Sequence, residues 1–296
     1  MNEQPVVLYL HIPKAGGTTL SDWLYQQLRD HRRQSSEAEE DRWLREAVFY
    51  YPSGYVRGPY EHDTAIINRV LPRPNVNGVL GHFKFGIHSR LTRPARYVTM
   101  LRHPVERILS LYHFERLMQE RYGEHQGIRM PMETTLESFL QSPPFEEVDN
   151  GMLRRISGVS PRLGGCTDDM LQQAKANLRN HFAVVGVTER FDETLMLVKK
   201  AFSWDSDVFY YPKNTNPGRK AVTLKSQEAF NAILESNEFD FELYKFALEL
   251  MDSAIESYGA LFESDLKDFT SRNRAWYEQV TSDELGHRYG QGLQRN

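Results

Sequence analysis

Short apolar runs alternate with longer amphipathic stretches along the chain, and this alternation predicts strands that are connected by helices. The clearest apolar runs lie at 6–10, 76–80, 97–101 and 183–187. Runs of this length that are rich in Val and Leu are typical of parallel strands buried on both faces. Strands that alternate with helices predict an α/β fold, in which helices flank a central parallel sheet.

The predicted helices share an apolar stripe with a period of about 3.6 residues. They cover approximately residues 20–28, 105–122, 136–140, 168–182, 191–202, 226–236 and 239–262. The segments 49–63 and 212–221 combine Pro and Gly with aromatic or polar residues and are predicted to be irregular. The sequence shows no internal repeat and no low-complexity linker. We therefore predict a single domain over 1–296, with a core at about 6–262 and a polar tail at 263–296.

Composition narrows the class of protein. The net charge of −4 argues against a general nucleic-acid-binding protein, which would carry a strong basic excess. A single cysteine, Cys166, excludes an internal disulfide, and no motif around it indicates a nucleophile. No apolar stretch approaches the roughly 18–20 residues of a membrane span, and the amino terminus lacks a signal-peptide layout. These features predict a cytoplasmic location.

The segment between the first strand and the first helix has the composition of a phosphate-binding turn. Its residues are Pro13, Lys14, Ala15, Gly16, Gly17, Thr18 and Thr19. A glycine-containing turn exposes backbone N–H groups at the positive end of a helix dipole, where anions bind. Lys14 adds a positive charge, and the two threonines add hydroxyl donors for phosphate oxygens. The pattern predicts that the chain binds a phosphorylated nucleotide.

A second candidate anchor follows the strand at 97–101. Arg102 comes directly after this strand, at the sheet edge where open α/β sheets bind ligands. Pro104 suits the first turn of a helix, and Ser110 follows in that helix. The guanidinium and the hydroxyl form a candidate site for a second phosphate. A structural arginine that pairs with Glu106 is the alternative interpretation.

These two segments resemble those of a known family. HIPKAGGTTL at 11–20 resembles the 5′-phosphosulfate-binding loop of sulfotransferases that use 3′-phosphoadenosine 5′-phosphosulfate, and LRHPVERILSLY at 101–112 resembles their 3′-phosphate-binding strand and helix. The greatest likeness is to the carbohydrate group that contains the heparan and dermatan/chondroitin 2-O-sulfotransferases and their bacterial relatives. GHFKFG at 81–86, VVGVTERFDETLMLV at 184–198 and FDFELYKFALEL at 239–250 support it.

The resemblance implies a P-loop-like sulfotransferase fold, a sulfuryl donor and no metal. Lys14 would neutralise charge on the bridging and 5′-phosphate oxygens. The 5′-phosphate would be held by the residues of the turn, Gly16, Gly17, Thr18 and Thr19, with Ala15 standing where the family often has Thr. Arg102 and Ser110 would bind the 3′-phosphate. Arg219 lies in a loop whose family counterpart closes over the nucleotide, and a solvated surface arginine is the alternative.

The resemblance also implies a general base. His82 matches the family's catalytic histidine in the GH segment, and an imidazole has an ordinary pKa near neutrality. The competing candidates for this role are Glu61, His62 and Asp63. Further candidate contacts to donor or acceptor are Lys84, Asn150, Arg154 and Asn214, whereas His103, Glu106 and Arg107 are predicted to brace the strand–helix junction.

Two other classes of function are weighed against a sulfotransferase. A nucleoside-triphosphate kinase or hydrolase needs GxxxxGK[ST], but Lys14 precedes the glycines. A catalytically silent nucleotide-binding relative is disfavoured by the intact Lys14, Arg102, Ser110 and His82. The family suggests a small-molecule or glycan acceptor, such as a sugar hydroxyl, and the tyrosines of the segment 49–63 are candidates for stacking on it: Tyr50, Tyr51, Tyr55 and Tyr60.

Overall fold

A five-stranded parallel sheet forms the centre of the computed structural model, which describes residues 5–30, 48–50, 68, 71–73, 76–123, 130–131, 133–211 and 227–282. The strands are β1 (Val6–Leu10), β2 (Val48–Tyr50), β3 (Gly78–Gly81), β4 (Ala95–Leu101) and β5 (Phe182–Val187). Their order in the sheet is β2-β3-β1-β4-β5, and every neighbouring pair is parallel. The predicted α/β fold is confirmed.

β1 is the central strand, and its position determines where a site can form. All five of its residues are buried, as its unbroken apolar run predicts. Leu10 pairs with Gly81 of β3 on one side and with Thr99 of β4 on the other. The segments that follow these three strands therefore leave the sheet side by side, at its carboxyl edge.

Helices cover the sheet, and most of them lie close to their predicted positions. They are α1 (Gly17–Asp30), α2 (Pro104–Tyr122), α3 (Leu136–Gln141), α4 (Gly151–Ser157), α5 (Asp168–His181), α6 (Phe191–Phe202), α7 (Gln227–Ser236), α8 (Glu238–Tyr258) and α9 (Phe262–Ser282). None of the described helices combines the length and the apolar character that crossing a bilayer requires.

The carboxyl-terminal part differs from the sequence prediction in one respect. The predicted helix at 239–262 ends at Tyr258, where Gly259 has a φ of 93°, and α9 begins at Phe262. Phe269 of α9 is 1 % exposed and belongs to the main core. The core therefore extends past the expected boundary at residue 262.

β2 corrects the prediction that the segment 49–63 is irregular from its first residue. Val48–Tyr50 pairs with Gly78, Val79 and Leu80 of β3 and forms the sheet edge. Three residues are too few to show alternation, although Val, Phe and Tyr all favour strands. Residues 51–63 lie outside the described residues, and with them lie Glu61, His62 and Asp63.

α4 is a short helix that the sequence pattern does not predict. All seven of its residues are buried, including Arg154 and Arg155. Asn150, which precedes it, has a left-handed backbone with a φ of 50°. Two adjacent arginines normally indicate a solvated surface. Here they can be buried because their charges are paired, as described below.

Candidate active site

The turn after β1 is closely packed around its two glycines. Gly16 has a φ of +70°, a conformation that L side chains rarely adopt. A Cβ added at Gly17 would lie 2.0 Å from Cδ2 of His11, so there is no room for a side chain there. α1 starts at Gly17, so its first N–H groups and the positive end of its dipole lie at this turn.

This turn contains the cation of Lys14 and is contacted by a second cation, the guanidinium of Arg102. Nη1 of Arg102 donates to the backbone oxygen of Lys14 at 3.1 Å, and Nη2 lies 3.2 Å from Oε2 of Glu106. The ammonium of Lys14 lies 4.0 Å from the ring centroid of Phe114 on α2. Arg102 therefore makes the ion pair with Glu106 and also ties the end of β4 to the turn that follows β1.

His82 follows β3 and lies beside the same turn. Its Nδ1 is 2.8 Å from the backbone oxygen of His11. A carbonyl oxygen only accepts hydrogen bonds, so Nδ1 is assigned the proton in the neutral ring. Nε2 is then the basic nitrogen of a partly exposed imidazole. This tautomer is the one that a proton-accepting Nε2 requires.

The ring of His82 is one of three neighbouring rings. The rings of His82 and His11 have centroids 4.1 Å apart, and Tyr9 stacks on His11 at 5.5 Å. Burial, and then the charge of Arg155, lower the pKa of His82 to about 3, although the bond to the His11 oxygen opposes this. Burial and the neighbouring His82 also lower the pKa of His11 well below its ordinary value. Both rings are therefore neutral at neutral pH.

A buried ion-pair network contacts the backbone of His82 through Arg155 of α4. Nη1 of Arg155 donates to the backbone oxygen of His82 at 2.7 Å, and its Nε donates to Oε1 of Glu147 at 2.7 Å. The other carboxylate oxygen of Glu147 lies 3.3 Å from Nη1 of Arg107 on α2. Arg107 is fully buried, and its Nη2 lies 3.4 Å from Oδ2 of Asp240.

Asp240 of α8 completes this network. Its Oδ2 accepts from the backbone N–H of Met152 at 3.1 Å, and its Oδ1 accepts from that of Leu153 at 2.8 Å. A carboxylate that accepts N–H groups in the first turn of α4 satisfies donors that have no partner within the helix. The carboxylate thus fixes the start of α4 and supplies a counter-charge to Arg107.

The segments that follow three neighbouring strands therefore bring a lysine, an arginine and a histidine to one edge of the sheet. These residues are Lys14 after β1, Arg102 after β4 and His82 after β3. A model of the sulfotransferase family matches residues 1–247. The chain belongs to the sulfotransferase family. The resemblance described from the sequence is confirmed.

Several curated sulfotransferases are similar to this chain at low sequence identity. Human uronyl 2-sulfotransferase is 26% identical over 170 residues, which cover 52% of this chain and 42% of the relative. Heparan-sulfate 6-O-sulfotransferase 2 of Danio rerio is 28% identical over 287 residues, covering 83% and 58%. Heparan-sulfate 6-O-sulfotransferase 1 of Gallus gallus is 26% identical over 286 residues, covering 83% and 66%. The chain thus spans between two fifths and two thirds of the length of these relatives.

The residues predicted to contact the sulfuryl donor differ in exposure, and their contacts with the donor stay predictions. Ala15 and Thr19 are buried, Thr18 is exposed, and Ser110 is buried in the second turn of α2. Arg219 and Asn214 lie outside the described residues.

Two of the candidate contacts have structural partners instead. Oδ1 of Asn150 accepts from the N–H groups of Phe239 and Asp240, both at 3.1 Å, at the start of α8. Arg154 is 1 % exposed and donates to the backbone oxygen of Asp149 at 2.7 Å. Both side chains are occupied in holding α4 against its neighbours, so the expectation that they contact donor or acceptor is not supported. Lys84 pairs with Glu146 at 3.3 Å and stays a candidate.

Sequence reasoning missed four residues that contact His82 or belong to the ion-pair network linked to it. They are His11, Glu147, Arg155 and Asp240. His11 was available as a signal, because it directly follows β1 in the segment that carries the family resemblance. The three charged residues gave no signal, because a charged side chain is ordinarily exposed and its partner cannot be read from the sequence.

Because the pKa values of folded His82 and His11 are lowered, we expect the protein to lose stability in acid. The unfolded chain binds protons on histidine below about pH 6.5, whereas folded His82 does so only at about pH 3. The free energy of unfolding is therefore expected to fall as the pH drops from about 6.5 towards 3. His82 contributes at most a tenfold change in the unfolding equilibrium constant per pH unit, and His11 contributes in the same direction.

Urea denaturation between pH 7 and pH 4.5 measures this dependence. His82→Asn removes one of the two groups, so its unfolding free energy is expected to fall less steeply with pH than that of the wild type. Equal slopes in both proteins would contradict the buried neutral state of His82.

Proposed function

We propose that this protein is an enzyme that transfers a sulfuryl group from 3′-phosphoadenosine 5′-phosphosulfate to a hydroxyl of a carbohydrate acceptor. The observation that carries the proposal is the meeting of Lys14, Arg102 and a neutral imidazole, that of His82, at one sheet edge. The membership of the chain in the sulfotransferase family supports the choice of donor. The similarity to uronyl and heparan-sulfate sulfotransferases supports a carbohydrate acceptor.

The residues at this edge fit a nucleotide that carries two phosphate groups. The first N–H groups of α1, together with Lys14, suit the 5′-phosphate, because a helix N-terminus and an ammonium both favour negative charge. Arg102 presents a planar fork of donors, which matches phosphate geometry, at the next strand along the sheet. The donor, when bound, supplies the sulfuryl group.

His82 is the proposed general base. Nε2 accepts the proton of the acceptor hydroxyl as the acceptor oxygen bonds to sulfur, and the bond from sulfur to the 5′-phosphate oxygen breaks. Lys14 lies at the turn where negative charge then develops, so its ammonium stabilises the departing phosphate. The anionic groups of a bound donor would raise the pKa of His82 from the value set by burial, which would move the imidazole towards the range in which a base is most effective.

The acceptor is proposed to be a sugar hydroxyl on a glycan, a glycolipid or a glycosylated metabolite. The net charge of −4 disfavours a long polyanion, which an excess of positive charge would attract. The cytoplasmic location expected from the sequence stays a prediction.

Thermal melting with nucleotides tests the proposed donor site. 3′-Phosphoadenosine 5′-phosphate is expected to raise the melting temperature by several degrees, since a ligand at 100 times its Kd stabilises the native state by about 2.7 kcal/mol. Adenosine 5′-monophosphate lacks the 3′-phosphate and is the matched control, for which we expect a smaller shift. Arg102→Ala should weaken binding of the bisphosphate.

Two outcomes of this experiment would contradict the proposal. An equal or greater shift with ATP and Mg²⁺ would favour a kinase, and unchanged bisphosphate affinity in Arg102→Ala would remove Arg102 from the site. Transfer of labelled sulfate from the donor to carbohydrate extracts then tests the reaction itself. Binding of the bisphosphate without any transfer would indicate a catalytically silent relative.

A further inference from the structure

Arg155 contacts the segment that carries the base at both of its ends. Its guanidinium donates to the backbone oxygen of His82 at 2.7 Å. Its own backbone oxygen accepts from the N–H of Phe85 at 2.8 Å. Gly158, at the end of α4, is also packed against this segment, because a Cβ there would lie 2.8 Å from the oxygen of Phe85. The turn at 82–85 is therefore held against α4.

The guanidinium itself is fixed in place. Arg155 is 3 % exposed, and its Nε donates to Oε1 of Glu147. Glu147 is 5 % exposed and pairs with Arg107 through its second oxygen. A planar fork that satisfies a carboxylate and a carbonyl at once holds one orientation, which an ammonium on a flexible stem does not.

We propose that Arg155 is a positioning residue for His82: it clamps the backbone of the segment 82–85 at both ends and places a positive charge beside the imidazole. The inference rests on the proposed function, in which His82 is the base. It assigns to Arg155 two separable effects, one on the orientation of the imidazole and one on its protonation. Arg155 itself contacts no reacting atom.

The groups around His82 agree with this assignment. Three titratable or charged side chains act on the imidazole from the elements described: His11 after β1, Lys14 in the turn and Arg155 on α4. Of the charged groups, Arg155 has the larger effect in lowering the pKa of His82, and Lys14 the smaller. Arg155 thus adds to the effect of burial, which is the largest cause of the lowered pKa of His82.

Arg155→Gln and Arg155→Lys separate the two effects, and Arg154→Gln is the matched control. Arg154 precedes Arg155 in α4, is equally buried and also pairs with a carboxylate, that of Asp149. It differs in making no bond to the segment 82–85 among the contacts of the described residues. Circular dichroism and thermal melting first establish which variants fold.

The expected results concern kcat, bisphosphate affinity and the titration of His82 in the complex with 3′-phosphoadenosine 5′-phosphate. Arg155→Gln should lower kcat about 10- to 100-fold, because a misplaced base costs about that much, with bisphosphate affinity within twofold of the wild type. The protonation midpoint of His82, followed by NMR, and the acidic limb of kcat should both rise by about one pH unit. Arg155→Lys should restore most of the midpoint and only part of kcat. Arg154→Gln should lower the stability, because it breaks the buried pair with Asp149, but the folded Arg154→Gln protein should keep the wild-type kcat and His82 midpoint.

The inference is overturned if a folded Arg155→Gln protein keeps the wild-type kcat and the wild-type His82 resonance throughout the titration, or if Arg154→Gln gives the same changes. If Arg155→Gln does not fold, Arg155→Lys is used instead, because it retains a positive charge opposite Glu147. The test is then whether this variant lowers kcat while its affinity for the bisphosphate stays unchanged. Failure of the proposed function is a different result. The wild type would then transfer no sulfuryl group, and the His82 titration would still decide the role of Arg155.

Discussion

His82→Ala is expected to lower kcat by about 10²- to 10⁴-fold, the range that a positioned general base contributes. The variant removes Nε2, the atom that accepts the proton of the acceptor in the proposed scheme. The affinity for 3′-phosphoadenosine 5′-phosphate should stay close to that of the wild type, because Lys14 and Arg102 remain. Steady-state sulfuryl transfer and calorimetric titration of the bisphosphate measure the two quantities separately.

Two further variants make this result specific. His82→Asn keeps a side-chain donor for the oxygen of His11 but has no basic nitrogen, so it should be as inactive as His82→Ala. His181→Ala is the control, since His181 is also a partly buried histidine and packs against Phe85 and His88. It should retain activity. Near-normal turnover in His82→Ala would exclude His82 as the base.

Asp240→Asn is expected to destabilise the protein by about 3–5 kcal/mol, the usual cost of removing one partner from a buried ion pair. Asp240 is fully buried. Its carboxylate pairs with Arg107 and accepts hydrogen bonds from two backbone N–H groups at the start of α4. An amide has one acceptor oxygen and no charge, so the guanidinium of Arg107 loses part of its compensation. Urea denaturation should show the loss as a lower midpoint.

Asp252→Asn is the matched control for this prediction. Asp252 also pairs with an arginine, Arg190, but its side chain is 61% exposed. Exposed pairs of this kind contribute about 0–1 kcal/mol, because water screens both charges. The two substitutions make the same chemical change and differ in burial. Equal losses of stability would show that the pairing of Arg107 with Asp240 does not support the fold.

The sheet, and the sheet edge at which the candidate site lies, were predictable from local pattern. β1, β4 and β5 are apolar runs, and the segments that follow parallel strands meet at one edge of the sheet. Lys14 and Arg102 were expected in two separate phosphate sites, and the bond between Arg102 and the backbone oxygen of Lys14 was not predicted. The family resemblance, not the pattern, singled out His82 among ten histidines.

The contacts around His82 were not predictable, because they depend on pairings between distant positions. Arg155 and His82 are 73 positions apart, and Arg107 and Asp240 are 133 apart. A sequence shows where charges are but not which of them meet away from water. β2 escaped prediction for a related reason, since its three residues become a strand only through their bonds to β3.

The location of Asp240 determines how short a fragment can be and still keep the contacts around His82. α8 follows the last strand of the sheet, so a shortened chain that ended after α6 would retain all five described strands together with Lys14, His82 and Arg102. Such a fragment would nevertheless leave Arg107 without Asp240 and the first turn of α4 without its acceptor, and disorder there would spread through Arg155 to the imidazole. An engineered minimal domain must therefore include α8.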